Sequence, residues 1–185
     1  MDPGIRHVVC IGLMAAARSP VGDGIAAGLG WRLVDVDSEV EVRTGKTVAE
    51  LSYEGGEEAY RPLERQVVLD GLAGHEHTVV MAPGGIALDP EARKAIGAVD
   101  VAAIYLRADP DVLATLAEQE VEHERPLIGD DPLRALRHMF RDRDATYRAL
   151  ADIEVQVDEH SPEEAADLVL AALTGEPAQA PRALP

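Results

Sequence analysis

The stretch Cys10–Gly22, CIGLMAAARSPVG, decides how this chain is read. It begins inside an apolar β run, HVVCIGL, and leads into VGDGIAAGLG, a helical pattern weakened by glycines and ending at Gly30. A loop between a buried strand and a helix N-terminus is where a phosphate-binding loop, G-x-x-x-x-G-K-[ST], sits in an α/β protein. Gly12 and Ser19 match that pattern. Ala17 stands at its second Gly, and Arg18 at its Lys.

Outward from this loop, apolar runs and helical patterns alternate. WRLVDVD, HTVVMA, VDVAAIYLRA and DIEVQVD read as further strands. Between them, DSEVEVRTG, TVAELSYEGG, GEEAYRPLERQVVLDGLAG, DPEARKAIGA, DPDVLATLAEQEVE and DPLRALRHMFRDRDATYRALA read as helices, and SPEEAADLVLAALTG closes the series. This alternation predicts an α/β fold, a doubly wound, five-stranded parallel sheet covered by helices on both faces. One domain is expected over residues 1–175, with a disordered Pro/Ala tail over 176–185. In such sheets ligands lie at the C-terminal ends of the strands. Asp35, Asp37, Gly84 and Gly85 come after β runs and are the residues to examine.

The chain has 185 residues and a formal net charge of -17, which argues against nucleic acid or an anionic membrane as a partner. Positive charge is carried almost wholly by arginine, with Lys46 and Lys94 the only lysines. Any site for a polyanion therefore depends on a local concentration of cations. Cys10 is the one cysteine and sits in an apolar run, so a buried, structural thiol is expected. With no signal segment and no membrane-length apolar run in the sequence, a cytoplasmic protein is expected. His75, His77, His123, His138 and His160 are scattered without metal-ligand spacing and read as surface histidines, with His123 the exception to watch because it falls in a segment that could close on a ligand.

The order of segments resembles the shikimate kinase family over roughly Ile5 to Thr174. The segments that carry the resemblance are LGWRLVDVDSEVEVRTGKTVAEL, GEEAYRPLE (where the family has Phe at the position of Tyr60), PGG, RPLI and DRDATYRALAD. The resemblance implies a P-loop kinase fold with strand order 2-3-1-4-5 and a lid near 118–130. It also implies a small cyclic hydroxy-carboxylate as substrate. By the same resemblance, Asp37 contacts ring hydroxyls and acts as base or orienter, and Arg61 and Arg143 clamp the carboxylate. Gly84 and Gly85 bring the main chain to the ring, and Arg125 lies near the phosphoryl path, so Asp37 and Arg125 are the candidate catalytic residues. Ser19 and Asp35 match the Mg²⁺ positions. The chemistry is coherent: guanidinium forks suit a carboxylate, and a carboxylate such as Asp37 accepts from hydroxyls. Each residue also has a plainer use, as an ion pair for Arg61 and Arg143, a turn for the glycines or a helix cap for Asp37.

The nucleotide half departs from the family. Ala15 and Ala17 replace glycines, Arg18 replaces Lys, and Pro20 removes an N–H donor where the helix N-terminus should present one. Leu116 replaces a lid arginine, Pro83 the first glycine of a Gly-Gly-Gly turn, and Glu118, Glu120, Glu122 and Glu124 bring like charge toward a triphosphate. DEHSP lacks the arginine the family often places near adenine. These departures read as a degenerate Walker A loop beside an intact acid pocket. Effective ATP use is lost, no cofactor is expected, and the pocket serves a nucleotide-independent proton transfer, elimination or rearrangement. Two alternatives stand beside it: an ATP- and Mg²⁺-dependent shikimate 3-phosphotransferase with an atypical loop, and a non-catalytic ligand-binding or regulatory pseudokinase.

Overall fold

The computed structural model describes residues 4–13, 18–74, 76–119, 131–158 and 160–175, with the backbone alone for 18, 19 and 116–119. Five strands are present among the described residues: β1 (His7–Ile11), β2 (Arg32–Asp35), β3 (Thr78–Met81), β4 (Val101–Arg107) and β5 (Ile153–Gln156). They form one all-parallel sheet in the order β2-β3-β1-β4-β5, as expected. Val8, Val9, Cys10 and Ile11 of the central strand are completely buried. A strand covered on both faces has no solvent side, and so it reads as an unbroken apolar run. Cys10 in this strand is buried and forms no disulfide.

Eight α-helices are present among the described residues: α1 (Arg18–Leu29), α2 (Val36–Thr44), α3 (Val48–Gly55), α4 (Glu57–Ala73), α5 (Pro90–Ile96), α6 (Pro110–Gln119), α7 (Pro132–Leu150) and α8 (Pro162–Thr174). The start of α1 lies three residues ahead of the expected pattern. Its glycines, which lower helix propensity, have a packing reason. A Cβ at Gly24 would meet the Ala166 Cβ at 2.7 Å, and one at Gly28 would run into Leu170, so α1 lies close against α8. The second strand is shorter than its apolar run suggested. Asp35 ends it and caps α2, its side chain accepting from the Ser38 N–H at 3.1 Å. The cap is therefore Asp35, and Asp37 lies inside the first turn of α2. Gly45, left-handed at φ 70°, closes that helix. Thr47 and Glu50 form a reciprocal capping box on α3. Pro62 falls within α4, as the sequence indicated.

After β3 the expected Pro-Gly-Gly turn is a short 3-10 helix, Gly84–Leu88, with Pro83 at its N-cap. This segment and β1 meet at the C-terminal edge of the sheet. A Cβ at Gly12 would strike the Leu106 carbonyl oxygen, and one at Gly84 would lie 2.6 Å from the Gly12 carbonyl oxygen. Both obstacles are backbone, which cannot swing aside. The ends of β1, β3 and β4 are drawn together by residues that lack side chains.

Candidate functional site

The register places Asp35, Met81 and Cys10 side by side, so β2, β3 and β1 end at one level. The segments leaving these strands form the rim of a single edge: α2 with Asp37, the 3-10 helix with Gly84 and Gly85, and Gly12 leading toward α1. Arg61 reaches this rim from α4. Its guanidinium lies directly over Gly85, in the space a Cβ there would occupy. Gly85 is thus explained by close approach of a charged side chain.

Two carboxylates hold Arg61 in place. Nη1 donates to Glu64 at 2.8 Å and Nη2 donates to Glu57 at 3.0 Å, with Nε also donating to Glu57 at 3.1 Å. These are the i,i+3 and i,i+4 pairs that the plainer reading of Arg61 anticipated. They are not simply solvated pairs, because Glu64 is 2 % exposed. Burial works against the Arg61 charge. Glu64 first, then Tyr60 and Glu57, together more than offset it, and the guanidinium pKa is held above its usual value.

Arg143 comes from α7. It stands one turn before Tyr147, which places both on the same side of the helix. The Tyr147 hydroxyl donates to the Gly84 carbonyl oxygen at 2.8 Å. Tyr147 also rests against Tyr105, ring centroids 5.1 Å apart. This ties α7 to the 3-10 helix, with Arg143 one helical turn from the tie. The charges of both arginines act on the phenol of Tyr60, a buried neighbour on α4. Burial pushes that phenol up to about 12 against their opposing pull.

Arg61, Gly84 and Gly85 are therefore gathered at one rim, Arg143 stands one turn along α7 from the Tyr147 tie to Gly84, and Asp37 opens the helix beside the rim. Gly12 lies at its floor. Arg18 and Ser19 begin α1, their side chains undescribed, and Ala15, Ala17 and Arg125 lie outside the described residues, as does the proposed lid apart from the end of α6. Among the described residues, no group of three His, Cys, Asp or Glu side chains is placed to hold a metal ion. No described helix is long and apolar enough to cross a membrane.

A family model described as shikimate kinase matches residues 14–174. The chain belongs to the shikimate kinase family. It is 38% identical over 162 residues to a shikimate kinase of Thermobifida fusca, covering 87% of this chain and 91% of the relative. It is 35% identical to one of Symbiobacterium thermophilum, covering 84% and 88%. Among solved structures it is similar to a shikimate kinase from Aquifex aeolicus, with TM-score 0.77, 28% identity, and coverage of 91% and 96%. A shikimate kinase from Acinetobacter baumannii in complex with shikimate superposes with TM-score 0.82 at 23% identity, covering 95% and 96%, and shares the fold.

Within this shikimate kinase frame, sequence reasoning overlooked Glu64, Tyr147 and Tyr60 as parts of the rim. Glu64 and Tyr147 lie inside the motifs GEEAYRPLE and DRDATYRALAD, which was the available signal. A further half-buried cluster braces α7 against the sheet: the Tyr105 hydroxyl donates to Asp144 at 3.0 Å, and Arg107 reaches Asp144 at 3.4 Å and Gln156 at 2.7 Å. Burial, then Asp144, raises the Tyr105 phenol well above its usual value. His7 was also missed. It is wholly buried in β1, whereas His77 and His138 are exposed, the former tilted against Trp31 and the latter paired with Asp142 at 2.6 Å.

Proposed function

We propose that this protein transfers a phosphoryl group from Mg-ATP to a hydroxyl of a shikimate-like cyclic hydroxy acid. The observation that carries the reading is the Arg61 guanidinium lying over Gly85, with Arg143 near enough for both charges to act on the Tyr60 phenol. Two guanidiniums at a glycine-floored edge suit a carboxylate whose ring must approach the main chain. Asp37 then orients or deprotonates the acceptor hydroxyl, and Arg125 serves the phosphoryl path. The naming of relatives 35–38% identical over 84–87% of the chain as shikimate kinases weighs in favour of transfer over a repurposed reaction.

For the nucleotide, the first turn of α1 carries no acidic residue, which fits an anion at that N-terminus. Ser19 and Asp35 would hold Mg²⁺ there. Mg-ATP supplies the phosphoryl group and the charge that neutralises its transfer. The test is ADP release on mixing shikimate with Mg-ATP, with the product weighed by mass spectrometry. A shikimate-dependent ADP signal and a product heavier by one phosphoryl group are expected. Shikimate binding without any ADP formation would overturn the transfer.

One observation favours the second reading, a nucleotide-independent reaction on the same acid. Pro20 is the third residue of α1 and withdraws one of the N–H groups that a phosphate would use. Calorimetry with Mg-ATP alone separates the two, since this reading requires that no binding heat be seen.

A further inference from the structure

Tyr60 is 1 % exposed, and its hydroxyl has no hydrogen-bond partner among the described residues. Buried hydroxyls are nearly always paired, because an unpaired one forfeits its hydration for nothing. The carboxylates one turn before and one turn after it do not take it. Glu57 and Glu64 both bond Arg61. The surroundings point to the missing partner's charge. The Arg61 guanidinium lies over the Tyr60 ring, 5.0 Å from its centroid, and the positive charges of Arg61 and Arg143 both reach the phenol. An anion drawn between those guanidiniums arrives beside a donor that has nothing to donate to.

We propose that the Tyr60 hydroxyl is a third donor for the ligand carboxylate, acting with Arg61 and Arg143, and that it selects for acids carrying that charge. A carboxylate offers about four acceptor positions, so two guanidinium forks leave room for a phenol O–H. Because Tyr60 is covered, the ligand meets the hydroxyl only by shifting the groups that lie over it, and the Arg61 side chain is the charged part of that cover. The inference rests on the proposed acid-binding role of the Arg61–Arg143 rim.

The experiment compares the full chain with Tyr60→Phe in three measurements: urea unfolding without ligand, calorimetry with shikimate, and calorimetry with shikimate methyl ester. The variant should unfold at equal or higher urea concentration, since an unpaired hydroxyl has been removed. It should bind shikimate roughly ten-fold more weakly. The uncharged ester should bind both proteins equally. Equal shikimate affinity in the two proteins overturns the inference while leaving the acid site standing. A variant less stable than the parent shows that the hydroxyl already has a partner within the protein, and also overturns it. Absence of shikimate binding to the parent chain removes the acid site itself, and the inference with it.

Discussion

The guanidinium of Arg61 fills the volume that any side chain at Gly85 would need. The atom in the way, Nη1, is also the one that bonds the buried Glu64 carboxylate, so Gly85→Ala should cost stability, on the order of 3 kcal/mol by urea unfolding if that pair is broken. Its effect should also fall on ligand binding, because the methyl group evicts the guanidinium from the rim. A shikimate Kd raised at least roughly ten-fold, together with a lowered unfolding midpoint, is the expected pair of results. Unchanged affinity would show that the position of Arg61 over Gly85 does not matter to the ligand.

Arg61 has a structural and a ligand-facing role, and these can be separated. Arg61→Ala takes the guanidinium away from Glu64, a carboxylate that is 2 % exposed. Leaving such a charge without its cation costs on the order of 3 kcal/mol. Glu64→Gln in the same chain removes the buried charge and should recover much of that loss. Ligand affinity should stay lost in both variants. Chemical denaturation and calorimetry on the single and double variants read the two effects independently.

Tyr147 and Gly84 fasten α7 to the sheet edge. Tyr147→Phe deletes one buried hydrogen bond, at 2.8 Å, and leaves the Gly84 carbonyl oxygen without that donor. A loss of about 1–2 kcal/mol is expected. Gly84→Ala should cost more, because its methyl group meets the backbone oxygen of Gly12 at 2.6 Å and the Tyr147 hydroxyl at 2.9 Å. A backbone oxygen at the end of a central strand cannot yield without moving β1. The order of unfolding midpoints, with Gly84→Ala below Tyr147→Phe, tests this ranking.

The sheet was legible in the sequence because buried parallel strands leave continuous apolar runs, as in HVVCIGL and VDVAAIYLRA. Strand order was carried by the family resemblance, since periodicity alone says nothing about which strands are neighbours. The reading failed where one residue could do two jobs. WRLVDVD has the apolar alternation of a longer strand, but Asp35 is also a good cap, and the helix begins at Val36. Arg61 and Gly85 were each singled out, yet their contact was invisible, because 24 residues separate them and only the turn from α4 through β3 brings them together. His7 was hidden by its neighbours. Within an apolar run a histidine does not advertise itself, and its partner Thr78 lies on another strand.

His7 gives a pH dependence whose sign can be worked out. The Thr78 hydroxyl donates to the Gly71 carbonyl oxygen at 3.2 Å, so it accepts from His7 Nδ1–H, 2.7 Å away. Nε2 is then the bare nitrogen, buried and without a hydrogen-bond partner among the described residues. Burial lowers the His7 pKa, and Asp100 only partly opposes it while Arg6 and His77 add to the lowering. The unfolded chain therefore takes up this proton first, at about 6.5. Stability from His7 is complete above that pH and falls as pH drops below it, levelling off only beneath the lowered native value. Urea unfolding between pH 7.5 and 5 should show this decline, and His7→Gln should flatten it. An equally steep decline in the variant would assign the dependence to other groups.

The altered loop can be tested without touching the acid rim. Pro20 occupies the first turn of α1 and is exposed, and at the third helical position an N–H has no intrahelical acceptor. Proline there costs the helix little, so Pro20→Thr should be near neutral for stability. The substitution restores one donor at an N-terminus facing the sheet edge. Mg-ATP affinity should rise a few-fold, and further when Ala15→Gly, Ala17→Gly and Arg18→Lys are added, with shikimate affinity unchanged. Calorimetry with each ligand separately reads both. If the fourfold variant gains nothing, the loop is not the limiting feature. The acidic segment Glu118, Glu120, Glu122 and Glu124 then becomes the larger obstacle, and glutamine at those positions should raise Mg-ATP affinity, most strongly at low salt, where like-charge repulsion is least screened.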